Sequence, residues 1–175
     1  PFPSMPLGFW QDHDNSAYRH AYFERFPSVW TQGDFAEQTQ HHGFIIYGRS
    51  DLTLNPGGVR IGSAEIYREI EKIATILESA VIGLPLNGEV KVILFITLAR
   101  RKRLTTAFKK EICHQLKTNA SPRHVPDRII QLPSLPKTFN GKIAETTLRQ
   151  LLLGEKIQNK EALVNPESLN EIESL

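Results

Sequence analysis

The chain is poor in sulfur. Its 175 residues include one cysteine, Cys113, and one methionine, Met5. A lone cysteine excludes an intramolecular disulfide framework and a multi-cysteine metal site, and it suits a reducing, cytoplasmic setting. No run reaches the ~18 consecutive apolar residues that a membrane-spanning helix needs. No basic segment followed by an apolar stretch stands near the N-terminus, so no secretory signal is visible. The six histidines (positions 13, 20, 41, 42, 114 and 124) do not fall at metal-ligand spacing, so no metal site is expected. The P-loop spacing is absent, and no internal repeat is visible. A chain that opens at Pro1 reads as a piece of a longer polypeptide.

What is present is ordinary for a globular protein: 40% hydrophobic and 23% charged residues, with 11 glycines and 11 prolines. The length fits one domain and part of a second. The net charge of +2 is unevenly spread. Residues 100–117 hold seven basic side chains and one acidic one, including the run Arg100-Arg101-Lys102-Arg103, whereas residues 155–175 hold two basic and five acidic. The basic half suits a polyanionic ligand, or is a solvated face around a strand-to-helix turn.

Apolar periodicity organises the chain in two stages. Tyr18, Tyr22 and Phe26 at i, i+4, i+8 predict a short helix over 16–25 with Ser16 as its cap. Val29-Trp30-Thr31 and Phe44-Ile45-Ile46-Tyr47 read as strands. These first fifty residues hold too few elements to close a core and read as the end of an earlier domain. From residue 52 the pattern becomes self-sufficient. Leu52 to Ile61 reads as a hairpin around Asn55-Pro56-Gly57-Gly58. Ser63 caps a helix bearing Ile66, Ile70, Ile73 and Ala74 on one face. Strands over 78–85 and 89–99 meet at Asn87-Gly88. Thr105–Lys117 is a helix, 128–132 a strand, and Lys142–Leu153 a last helix stopped by Gly154. The expected class is α+β: a small C-terminal domain with a three-stranded sheet, a hairpin and flanking helices, preceded by the end of a larger β-containing domain. Residues 155–175 form an acidic tail with little periodicity.

Four local sequences suit chemistry. Gly33-Asp34 puts a carboxylate after a tight turn, where it can accept bonds from a diol; a turn-forming Asp explains it as well. Tyr47-Gly48-Arg49-Ser50-Asp51 sets an Arg and an Asp at a domain junction, as a surface pair or as a phosphate-facing Arg with a hinge. Gly57-Gly58 before Val59-Arg60 lets a ligand approach backbone closely, or is a plain turn. Pro136-Lys137-Thr138-Phe139-Asn140-Gly141-Lys142 ends on a cation at the expected start of a helix. That end favours anions, so the placement suits a shared anionic ligand.

In this order and spacing the four segments resemble the adenylate-forming superfamily of acyl-CoA synthetases, peptide-synthetase adenylation domains and luciferases, from about Trp30 to Leu153. The segment Tyr47–Asp51 looks like the family's hinge motif and Pro136–Lys142 like its C-terminal lysine motif. Pro1–Trp10, Asn55–Glu65 and Asn165-Pro166-Glu167-Ser168-Leu169 look most like family members acting on acetoacetate. The resemblance implies that 1–49 end a large N-terminal domain, 50–51 form a hinge, 52–154 make a mobile C-terminal domain that contacts the large one, and 155–175 follow as the tail. Sequence departures are Phe139-Asn140 where acetyl-CoA synthetases usually have Arg-Ser, Val59 for His or Tyr, and Glu145 where many relatives are basic.

The chemistry implied by the resemblance uses ATP, Mg2+ and coenzyme A. A carboxylate and ATP give an acyl-adenylate, and the coenzyme A thiol then displaces AMP. On this resemblance Lys142 is the catalytic lysine at the α-phosphate. Asp34 holds the ribose hydroxyls, and Arg49 and Arg60 bind the nucleotide. Asp51 is the hinge, and Gly57, Gly58 and Lys117 meet coenzyme A. The expected substrate is a short β-keto acid such as acetoacetate, with acetate or propionate as alternatives. The partners are small molecules, without membrane or nucleic acid, and the 175 residues alone are expected to be inactive. A non-catalytic nucleotide- or nucleic-acid-binding module and an inactive paralogue are the rival readings. Nucleic-acid binding requires none of Asp34, Arg49 and Lys142, and no RNA-binding aromatic signature accompanies the basic run.

Overall fold

Val92-Ile93-Leu94-Phe95-Ile96 is apolar at every position, so a strand built from it must be covered on both faces. The computed structural model describes residues 3–50, 54–157 and 160–173, and in it this run lies in the middle of a three-stranded sheet. Strand β3 (Ile76–Leu86) pairs antiparallel with β4 (Glu89–Leu98), and β4 pairs parallel with β5 (Arg128–Gln131), in the order β3-β4-β5. Asn87 and Gly88 join β3 to β4 with φ of 51° and 82°, the left-handed pair that a two-residue hairpin of matching twist requires.

Alternation along the strands divides the core in two. Val81, Val92, Leu94, Ile96 and Ile129 pack with Ile66 and Ile70 of α2 (Ser63–Ile70) and with Ile112 and Leu116 of α3 (Thr106–Asn119). On the other face Ala80, Ile82, Ile93 and Phe95 pack with Leu148 of α4 (Glu145–Leu152) and Ile172 of α5 (Ser168–Glu173). Two helices therefore lie on each side of the sheet. This body spans Leu52–Leu175, and Pro1–Asp51 forms a separate compact unit.

The first unit contains α1 (Ser16–Phe23) and an antiparallel pair, β1 (Asp34–Gln38) and β2 (Phe44–Arg49). The strand expected at Val29–Thr31 is absent. The Thr31 amide and hydroxyl both donate to the Tyr22 carbonyl, at 3.0 and 2.8 Å, so this backbone closes onto the end of α1 instead of a ladder. Ser16 is not the cap of α1. The Asp12 carboxylate accepts from the amides of Ala17 and Tyr18, and Asp14 accepts from that of Ser16. Phe44, Ile45 and Ile46 of β2 are exposed within this chain.

Four further expectations shift within the second unit. Gly62, not Ser63, precedes α2, and its amide donates to Glu65 at 3.2 Å. The helix ends at Ile70, so Ile73 is buried from a following turn and Ala74 is exposed. The segment 160–173 is folded, not a loose tail: Leu163, Leu169 and Ile172 are buried, and α5 packs beside α4. Of the hairpin expected over 52–61, residues 52 and 53 lie outside the described residues. The rest is a bridge between Leu54 and Ile61 around a 3-10 turn, Pro56–Gly58. Among the described residues no helix is long and apolar enough to cross a membrane.

Phe95 has no exposed surface, at the centre of the α4/α5 face. Phe95→Ala should lower stability by about 3–5 kcal/mol. The measurement is urea unfolding of the 175-residue chain followed by circular dichroism. A loss below about 1 kcal/mol would contradict the packing described.

Candidate functional site

Asp34 and Arg49 stand opposite each other as ladder partners, at the start of β1 and the end of β2. Gly33 makes this possible. Its φ is +80°, and a Cβ there would come within 2.8 Å of the Arg49 guanidinium. The Ser50 amide donates to the Gly33 carbonyl at 2.7 Å, and Arg49 Nη1 donates to the Gln32 carbonyl at 2.6 Å. Arg49 Nη1 lies 4.0 Å from Asp34 Oδ1, and both side chains are half-exposed. A carboxylate and a guanidinium thus share one sheet edge, so one ligand carrying hydroxyl donors and a phosphate can reach both. Asp51 lies outside the described residues.

The paired glycines separate into two environments. Both have positive φ, 58° at Gly57 and 81° at Gly58. Gly57 is covered by Arg123: a Cβ there would fall 2.1 Å from Nη1, and the same nitrogen donates to the Pro56 carbonyl at 3.4 Å. A Cβ on Gly58 would meet nothing within 4 Å. Arg60 follows on the exposed side. Lys117 is exposed in the last turn of α3, while Arg123, six residues further on, is the cation at the glycine turn. Nothing in the local sequence singled out Arg123, because it belongs to a 3-10 turn that only the fold brings to Pro56.

Lys142 does not open a helix; α4 begins three residues later, at Glu145. Its neighbours are taken up by a small hairpin. The Thr138 amide donates to the Lys142 carbonyl, the Gly141 amide to Thr138 and the Ala144 amide to Pro136, each at 2.8 Å, and Lys137 bridges Ile143. Phe139, Asn140, Gly141 and Lys142 form its exposed tip. The C-terminal segment runs along the outgoing leg. Thr138 bridges Leu163, and the Asn165 side chain accepts from the Lys137 amide and donates to the Leu135 carbonyl, both at 2.9 Å. Lys137 also pairs with Glu78 of β3.

A cavity of about 480 Å³ lies between this hairpin and β3, lined among others by Tyr67, Glu78, Ser79, Lys142 and Glu145. Tyr67 donates its phenolic proton to Glu145 and accepts from the Val81 amide at 2.8 Å. Burial first, and the Glu145 carboxylate second, push the Tyr67 phenol far above its ordinary range. A larger cavity of about 730 Å³ beside α1, lined by Leu7, Tyr18, Phe23 and Pro27 among others, holds none of the candidate residues.

The remaining reactive groups have structural roles. His124 is buried with Nε2 at 3.0 Å from Glu65 and Nδ1 at 2.8 Å from Ser121, which ties α2 to the turn before β5. Burial pushes the Cys113 thiol up, opposite to what a nucleophile needs. Among the described residues no group of three or more His, Cys, Asp or Glu side chains is placed to hold a metal ion.

The Lys142 and Gly58 regions lie against different stretches of β3. The Lys142 cavity is lined by residues 76–79, whereas Leu54, at the base of the glycine turn, packs against Gly83. Ser79 and Gly83 are four positions apart along the strand, ~13 Å at 3.3 Å per residue.

Residues 68–142 match the family described as AMP-binding enzyme C-terminal domain. The chain is 52% identical over 169 residues to an acetoacetyl-coenzyme A synthetase of Rhizobium meliloti, covering 97% of this chain and 26% of that protein. It is 38% identical over 172 residues to an acetoacetyl-CoA synthetase of Gallus gallus, with the same coverage. A solved acetoacetyl-CoA synthetase from Streptomyces lividans superposes with a TM-score of 0.91 at 39% identity, covering 99% of this chain and 26% of that one. The chain therefore spans about a quarter of the length of the curated relatives it matches.

The Tyr67 environment predicts a pH dependence. An unfolded tyrosine loses its proton near pH 10, and the folded one holds it more tightly. Stability from this group is therefore complete below about pH 10 and falls as pH rises beyond it. Urea unfolding of the 175-residue chain from pH 8 to 11.5 should show a steeper alkaline loss than Tyr67→Phe, by up to one proton. Parallel curves would contradict the burial of this phenol.

Proposed function

We propose, from the match of residues 68–142 to the AMP-binding enzyme C-terminal domain family, that the whole protein is an ATP-dependent, AMP-forming ligase joining acetoacetate to coenzyme A. The observation that carries this reading is 52% identity to an acetoacetyl-coenzyme A synthetase across nearly all of the chain, together with the Asp34–Arg49 pair and the exposed Lys142. In this reading the protein works in the cytoplasm and the Leu52–Leu175 unit docks against a larger domain. The first unit is the end of that larger domain, and the exposed apolar face of β2 is a surface on which the rest of it packs.

In the first half-reaction a carboxylate oxygen of the acid attacks the α-phosphorus of ATP, and the bond to pyrophosphate breaks. Asp34 accepts a hydrogen bond from each of the two ribose hydroxyls, one on each carboxylate oxygen. Arg49, steadied by the Gln32 carbonyl, faces the sugar–phosphate side and Arg60 adds a second guanidinium to the nucleotide. Lys142 brings its ammonium to the α-phosphate and the attacking carboxylate, where negative charge accumulates. Mg2+, when bound, would neutralise charge on the phosphates; among the described residues no group of three or more His, Cys, Asp or Glu side chains is placed to hold it.

In the second half-reaction the coenzyme A thiol attacks the acyl carbon and AMP leaves. Gly58, with open space above its α-carbon, gives the thiol arm a path along backbone. Gly57 contributes through the turn it shapes, with Arg123 lying over it. Lys117, exposed in the last turn of α3, supplies a further positive charge for coenzyme A. In this reading the second unit turns between steps, so that each region serves the reaction centre in its turn, with Asp51, at the boundary of the two units, as the hinge.

The test uses the whole protein and separates the half-reactions by rapid quench. Lys142→Ala should slow adenylation about 10²–10³-fold and spare thioester formation from supplied acetoacetyl-adenylate. Asp51→Pro should do the reverse, because a fixed φ stiffens the hinge in the adenylating state. The 175-residue chain alone should release no pyrophosphate. Equal loss of both steps in Lys142→Ala would reject the assignment.

A further inference from the structure

The lysine hairpin is exposed at its tip, and Gly141 there adopts φ of +74°. A side chain on such a tip is only as well placed as the two legs beneath it. The outgoing leg reaches β3 through Lys137–Glu78, a pair about one-third exposed on both sides. Water screens such pairs, which are worth roughly 0–1 kcal/mol. The return leg is short, Ile143-Ala144, and enters α4 at Glu145.

Glu145 meets the phenol of Tyr67, which belongs to α2 on the opposite face of the sheet. The two side chains join around the rim of β3, which is an edge strand. An edge strand carries amides without a neighbouring strand, and the Val81 amide donates to the Tyr67 oxygen. One hydroxyl thus completes the strand edge with its lone pair and grips the first turn of α4 with its proton. A hydrogen bond to an ionised carboxylate is about twice as strong as a neutral one, and this one is part-buried and joins two helices that pack on opposite faces of the sheet.

We propose that Tyr67 is a positioning residue for Lys142: by holding Glu145 against the edge of β3 it fixes the return leg of the lysine hairpin. The proposal rests on the reading of Lys142 as the adenylation lysine. It assigns Tyr67 no contact with substrate. The high Tyr67 pKa agrees with it, since the phenol keeps its proton throughout the physiological range.

The test is made in the whole protein with four variants: Tyr67→Phe, Glu145→Gln, Lys142→Ala and the Tyr67→Phe/Lys142→Ala double variant. Tyr67→Phe should slow adenylation about 10-fold, since ångström-scale misplacement costs up to about 10²-fold. Thioester formation from supplied acetoacetyl-adenylate should stay within about twofold, because Lys142 takes no part in it. Glu145→Gln still accepts from the phenol and should keep adenylation within about threefold. In the Lys142→Ala background Tyr67→Phe should have no further effect, because it acts through the lost ammonium. If Tyr67→Phe does not fold, Glu145→Ala severs the same link from α4 and is read identically. A Tyr67→Phe loss equal in both half-reactions, no loss at all, or one that persists undiminished without Lys142 would overturn the proposal while leaving the ligase assignment standing. A Lys142→Ala protein with normal adenylation would overturn both.

Discussion

A three-stranded sheet covered on both faces still has to finish its edges. In the Leu52–Leu175 unit β3 is one of the two edge strands, and the arrangement of the Lys142 region follows from how that edge is closed. One buried phenol accepts from the strand and donates to the helix beyond it. The lysine hairpin hangs beside this junction, with a folded C-terminal segment along its other leg. Leaving the Val81 amide unpaired there costs about 1–3 kcal/mol, so the junction resists opening.

The same strand separates the two candidate regions. Lys142 is presented near residues 76–79, and the open glycine turn near Gly83. Asp34 and Arg49 stand together on the first unit. The proposed two-step reading, in which both regions serve one centre in turn, puts its joint at the boundary of the two units.

What could be read in the sequence was local. Asn87-Gly88 between two apolar runs specifies its hairpin without help, and Phe108, Ile112 and Leu116 at helical spacing locate the buried face of α3. The cross-strand partnership of Asp34 and Arg49 was not legible, because the first strand was placed at Val29–Thr31 instead of Asp34–Gln38. Lys142 was expected on a helix because residues 142–153 carry helical spacing. Its first three positions are claimed by hydrogen bonds to Pro136–Thr138, a preference the window of periodicity does not contain. Tyr67 and Glu145 stand 78 residues apart, and Arg123 reaches Pro56 across 67. No spacing rule links such pairs; topology does. The segment 160–173 was too short in each of its turns to show a period, yet its leucines and Ile172 are buried.

The central claim is that the whole protein activates acetoacetate as an adenylate. Exchange of labelled pyrophosphate into ATP, with coenzyme A withheld, tests it most directly. The account predicts exchange that depends on acetoacetate and exceeds that with acetate or propionate at equal concentration. No acid-dependent exchange, or exchange indifferent to the acid supplied, would contradict it.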